Sequence, residues 1–89
     1  MRFHQHSKEG ESMTENELLK EISFLLRSNL NDKHMSQATL ARLTNIDRSN
    51  INHYVKGDRM PSLVNMLNIC FVLDIQLQDE LEIFDLIKM

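Results

Sequence analysis

Three times in this chain a short polar residue stands directly after one apolar residue and four positions before another. The three sets are Met13-Thr14 with Leu18, Met35-Ser36 with Leu40, and Ile46-Asp47 with Ile51. A side-chain oxygen at the middle position satisfies an amide that the first helical turn leaves unpaired. The flanking apolar pair clips the incoming chain onto that turn. Helix starts are therefore expected at these places, and the last two lie so close together that the helix between them must be short. This spacing leaves room for a cluster of short helices and little else. No alternating strand pattern and no internal repeat competes with it.

The helix periods follow from these starts. Thr14 and Glu17 form a capping box, and Leu18, Leu19, Ile22, Leu25, Leu26 and Leu30 recur at helical spacing up to the Asn29, Asn31 and Asp32 region. Leu43-Thr44-Asn45 is expected to close the second helix, because asparagine tolerates the left-handed turn conformation. Gly57 is the natural stop of the third helix. Pro61-Ser62 opens a fourth, expected to turn Leu63, Met66, Leu67, Cys70 and Leu73 inward, and a fifth is expected over about Gln78 to Ile87. The fold class is all-α, with residues 13–89 as one domain.

Bulk properties narrow the function. With 42% hydrophobic and 26% charged residues the chain is globular in composition, and no apolar run is long enough to span a bilayer. A single cysteine and the absence of an apolar leader segment favour a cytoplasmic location. Cys70 falls on the inward stripe of the fourth helix and is expected to be a buried, inert thiol. His4 and His6 form an H-x-H pair with no further ligand nearby, so no metal site is expected. There is no serine-histidine-acid set, no glycine-rich phosphate loop and no paired carboxylate arrangement pointing into a plausible cleft, so neither an enzyme nor a cofactor or small-molecule ligand is expected. Residues 1–12 are polar and aperiodic, and the default reading is a tail. The alternative is that Lys8-Glu9-Gly10-Glu11 is a translated purine-rich ribosome-binding site, with Met13 the true start.

The formal net charge of −3 is unevenly spread. Residues 27–59 carry Arg27, Lys33, Arg42, Arg48, Lys56 and Arg59 against Asp32, Asp47 and Asp58, whereas both flanking segments are acidic. The positive excess thus falls in and beside the two short central helices, the distribution that phosphate binding requires.

Ser36-Gln37, Leu40-Ala41, Ile46, Ile51, Gly57, Pro61-Ser62 and Leu73 follow an ungapped spacing that resembles the phage-repressor (Cro/CI-type, XRE) helix-turn-helix family. The resemblance implies a five-helix, lambda-repressor-like domain with the helix-turn-helix at helices 2–3 and a recognition helix, about residues 47–56, in the major groove of double-stranded DNA. Carried over position by position, base contacts fall to Arg48, Ser49, Asn52 and His53. Gln37, Asn50, Lys56 and Arg59 fall at backbone-contacting positions. Ala41 takes the small-residue position where the two helices cross, and Ile46, Ile51 and Tyr54 take the core between them. The chain departs from the pattern in three places. Asn45 replaces the usual turn glycine, and Thr44 stands at a position that is normally apolar. Val55 replaces a glutamate that pairs with an arginine in relatives, and Leu30 stands at that arginine's place.

Beyond one core stripe of Leu77, Leu81 and Phe84, the C-terminal segment offers a second apolar set, Ile83, Leu86 and Ile87. A homodimer interface of Leu81, Ile83, Phe84, Leu86 and Ile87 is therefore expected. The leading reading is a bacterial or phage transcription regulator, a repressor in type, controlled through its own level, its dimerisation or a regulatory protein partner. The competing class is a protein-interaction module that keeps the fold, such as an antitoxin or anti-repressor. Retention of Arg48, Asn52, Lys56 and Arg59 together argues for DNA.

Overall fold

The computed structural model describes residues 12–76. Within them the chain forms α1 (Glu15–Asp32), α2 (Gln37–Thr44), α3 (Arg48–Lys56) and α4 (Leu63–Leu73), and no strand. The expected fifth helix, the dimer residues Leu81, Ile83, Phe84, Leu86 and Ile87, and the segment before Ser12 lie outside the described residues.

The expected helix starts are realised with one chemical exception. At α1, Thr14 accepts from the Glu17 amide at 3.1 Å while Glu17 Oε1 accepts from the Thr14 amide at 2.8 Å, completing the capping box. At α2, Ser36 accepts from the Thr39 amide at 3.0 Å, and Ser62 caps α4 in the same way through Asn65 at 3.1 Å. Asp47 occupies the cap of α3, but its side chain accepts no hydrogen bond, contrary to the sequence expectation. Only its carbonyl joins the helix, accepting from the Ile51 amide at 3.1 Å. Ser36→Ala should therefore cost about 1 kcal/mol. Asp47→Ala should cost only about 0.3–1 kcal/mol, because what it loses is a negative charge near the helix N-terminus. Chemical denaturation of both variants checks this, and an Asp47 loss larger than that of Ser36 would contradict it.

The core forms where the four helices meet. Leu26 of α1, Leu40 of α2, Ile51 of α3, and Ile69 and Leu73 of α4 are its largest fully buried side chains. α3 packs on both α1 and α2, and α4 packs on α2. Tyr54 is buried with its hydroxyl accepting from Asn65 Nδ2 at 2.9 Å, which links α3 to α4. Leu30 and Val55 are both buried members of this core, carbon at both positions where relatives place an ion pair. Such replacement avoids the desolvation cost of two buried charges.

Thr44, expected to carry a mild cost, is buried with its hydroxyl donating to the Leu40 carbonyl at 2.7 Å. The polar atom is thus satisfied inside its own helix. On α1, Ser23 belongs to the buried face although no apolar pattern marks it, and its hydroxyl donates to the Val55 carbonyl at 2.6 Å. Cys70 is buried, and desolvation raises its thiol pKa to about 11, as suits an unreactive core cysteine.

The inward face of α4 differs from the one expected. Ile69, Cys70 and Leu73 are buried and Met66 packs partly against the core, while Leu63 and Leu67 are 73% and 51% exposed. The physical reason is that LVNMLNICFVL is apolar at nearly every position, so period alone selects no face. The crossing with α2 makes the choice. It leaves Leu63, Val64, Leu67 and Phe71 as an apolar stripe uncovered among the described residues.

Candidate nucleic-acid interface

α2, a turn and α3 make the unit that presents the polar side chains. The turn rests on Asn45 at φ 59, in the left-handed region, as its sequence position implied. Ile46 then returns its amide to the Ala41 carbonyl at 3.2 Å and buries its side chain. α3 leaves the turn with Ile51, Tyr54 and Val55 facing the core. The helical period therefore turns Ser49, Asn52, His53 and Lys56 away from the core, with Asn50 at the flank, while Arg48, seven residues before Val55, is exposed because it opens the helix.

Along this face the side chains fall into three groups. Arg48 and Ser49, at the start of α3, are exposed and make no hydrogen bond or ion pair among the described residues. Asn52 Nδ2 donates to Gln37 Oε1 at 3.2 Å, tying the middle of α3 to the first residue of α2. One amide proton of Asn52, its carbonyl oxygen and the Gln37 amino group remain available. These are the groups that a bidentate contact with an adenine edge uses.

Beside the helix, Arg59 donates to Asn50 Oδ1 at 2.5 Å, so two of the expected backbone-contacting residues hold each other. The third group lies at the end of α3. His53 Nδ1 is 2.7 Å from Asp58 Oδ1, and Lys56 Nζ is 3.8 Å from Asp58 Oδ2. The Asp58 carboxyl is held below its ordinary value chiefly by the hydrogen bond with His53. Desolvation opposes this, and the charges of His53, Lys56 and Arg59 lower it further.

The structure thus brings Gln37 together with Asn52, Asn50 with Arg59, and His53 with Lys56, and it leaves Arg48 and Ser49 open. Asp58 is the residue that sequence reasoning missed. In the sequence it merely reduced the charge of a basic loop, whereas in the fold it bridges two of the expected DNA-contacting side chains, His53 and Lys56. The available signal was its place directly after Gly57. A residue following a left-handed helix stop is drawn back over the last turn.

Among the described residues no group of three His, Cys, Asp or Glu side chains gathers as metal ligands. No described helix is long and apolar enough to cross a membrane. Residues 26–85 match the Cro/C1-type HTH DNA-binding domain, which is more than half of the chain, and the chain belongs to that family. No curated protein matches it. The described residues are thus all-helical and carry a helix-turn-helix DNA-binding domain, of a family generally without enzymatic activity, and DNA is the partner that membership implies.

Proposed function

We propose that the protein is a sequence-specific transcription regulator, repressor in type, that inserts α3 into the major groove and binds its operator as a homodimer. The observation that carries this reading is the division of α3: Ile51, Tyr54 and Val55 are buried, while the opposite side offers donors and acceptors to solvent. Arg48 suits guanine O6 and N7, Asn52 braced by Gln37 suits adenine N6 and N7, and Ser49 and His53 extend the contact along the groove. Lys56 and the Asn50–Arg59 pair lie where phosphates flank such a helix.

The apolar stripe of Leu63, Val64, Leu67 and Phe71 on α4 supports association with a second copy. An apolar patch of this kind is costly to leave in water. The apolar residues Leu81, Ile83, Phe84, Leu86 and Ile87 that follow α4 in the sequence are proposed to take part in the same association.

Selection of bound duplexes from a random pool tests both parts. Two inverted copies of one short motif, centred about 10 bp (roughly 34 Å) apart, are expected of a twofold dimer with one recognition helix per half-site. A single asymmetric motif would remove the homodimer and leave the α3 reading intact. Absence of any enriched motif would remove both and favour the protein-interaction module.

A further inference from the structure

Each of the four described helices ends the same way. A residue with positive φ (His34, Asn45, Gly57 and Asp74, at 52, 59, 84 and 57°) is followed by one whose amide reaches back to a carbonyl five residues earlier. These bonds run from Met35 to Leu30, Ile46 to Ala41, Asp58 to His53 and Ile75 to Cys70, at 2.9, 3.2, 3.1 and 2.9 Å. At three of the ends that following residue is apolar and packs into or against the core, as this cap prefers. At the end of α3 it is Asp58, whose side chain is 51% exposed and bonds His53 instead. The cap thus fixes both ends of the His53–Asp58 pair: the amide of one to the carbonyl of the other, and the carboxylate of one to the ring of the other.

We propose that Asp58 is a positioning residue that sets what His53 reads, holding Nδ1 as the protonated nitrogen so that the neutral ring presents Nε2 as an acceptor to the exocyclic amino group of adenine or cytosine. This rests on the reading that places α3 in the major groove. The chemistry is restrictive. An ionised carboxylate only accepts, so a ring nitrogen 2.7 Å away must carry the hydrogen whether the imidazole is neutral or charged. Nε2 has no hydrogen-bond partner among the described residues. In the neutral ring it is a bare lone pair, which matches adenine N6 or cytosine N4 and is repelled by guanine N7 and O6. Protonation places a hydrogen on Nε2 and reverses the match toward guanine.

The charged groups around the pair are Lys56 and Arg59, both beside Asp58. From α1 the neighbours of the intervening Gly57 are Ser23 and the Leu19 carbonyl, and from α2 Gln37 reaches Asn52. None of those neighbours is titratable.

The test is duplex selection with the wild-type chain at about pH 8 and about pH 5.5, and with Asp58→Asn and His53→Ala at the higher pH. Asp58 is exposed and its amide bond survives the change to asparagine, so the variant is expected to fold, which circular dichroism verifies. At the higher pH the wild type should prefer adenine or cytosine about five-fold at one position in each half-site, and His53→Ala should erase that preference. Asp58→Asn should bring it near parity at that position alone, because an asparagine amide can donate to Nδ1 and release the other tautomer. At the lower pH guanine should gain there in the wild type. If His53→Ala relaxes one position and Asp58→Asn does not, the α3 reading stands and the role of Asp58 falls. If His53→Ala relaxes no position, the histidine contact itself is wrong and the inference falls with it. A guanine preference of the wild type at the higher pH would overturn it as well.

Discussion

Ile51→Ala should destabilise the protein by about 2–5 kcal/mol, among the largest single effects expected in the domain. Ile51 is fully buried at the middle of α3, between Tyr54 and Val55 on the same face and the side chains that α1 and α2 turn toward it. Truncation removes apolar area that no other group can cover and leaves a cavity between helices held by short turns. A domain of this size commonly has only about 5–15 kcal/mol of stability, so the loss would shift the denaturation midpoint strongly. Ile51→Val, which removes one methyl group, should cost about 0.5–1.5 kcal/mol. Urea titration of the three proteins at constant m-value is the measurement. A cost for the alanine variant below that of the valine variant would mean that α3 is not anchored through this side chain.

Gly57→Ala is expected to cost about 2–3 kcal/mol, for two reasons that can be separated. Its φ of 84° is strained for any residue with a Cβ, and an added Cβ would stand 3.2 Å from the Ser23 Cβ. Ser23 cannot simply retreat, because its hydroxyl holds the Val55 carbonyl at 2.6 Å across the α1–α3 contact. Asn45→Ala provides the control: it meets a similar backbone penalty at φ 59°, about 1–2 kcal/mol, on an exposed turn. The excess of the glycine variant over this control measures how closely α1 and α3 approach. Equal losses for the two would show that the approach yields without cost.

Much of the fold was legible because its signals are local. Thr14, Ser36 and Ser62 each precede a helix that needs an amide satisfied, and Asn45 and Gly57 stand where the backbone turns left-handed. The family spacing from Ser36 to Leu73 reflects the same constraints. What escaped depends on tertiary context. The face of α4 could not be read from a helix that is apolar almost all round. Ser23 is buried against a partner distant in sequence, its hydroxyl donating to the Val55 carbonyl 32 positions later. Asp47 has the right residue type for a cap, yet its side chain makes no cap bond. In the candidate interface, the residue types and the open face of α3 were legible, because a helix with Ile51, Tyr54 and Val55 inward must turn Ser49, Asn52 and His53 outward, and Arg48 stands at its exposed first turn. The pairings were not. Gln37 with Asn52, Arg59 with Asn50, and Asp58 with His53 join residues from different turns or elements, and no sequence period encodes them. The expected dimer residues lie beyond the described part of the chain.

The central claim is that the open face of α3 reads DNA, and that residues on it divide into those that read bases and those that hold phosphates. Equilibrium binding of Arg48→Ala and Lys56→Ala to the selected operator and to a random duplex, across a range of salt, tests it most directly. Arg48→Ala should lose about 1–3 kcal/mol on the operator, little on random DNA, and relax one base position. Lys56→Ala should weaken both duplexes alike and reduce the slope of log K against log salt by about 1. Indistinguishable behaviour of the two variants, or binding that neither one changes, would contradict the account.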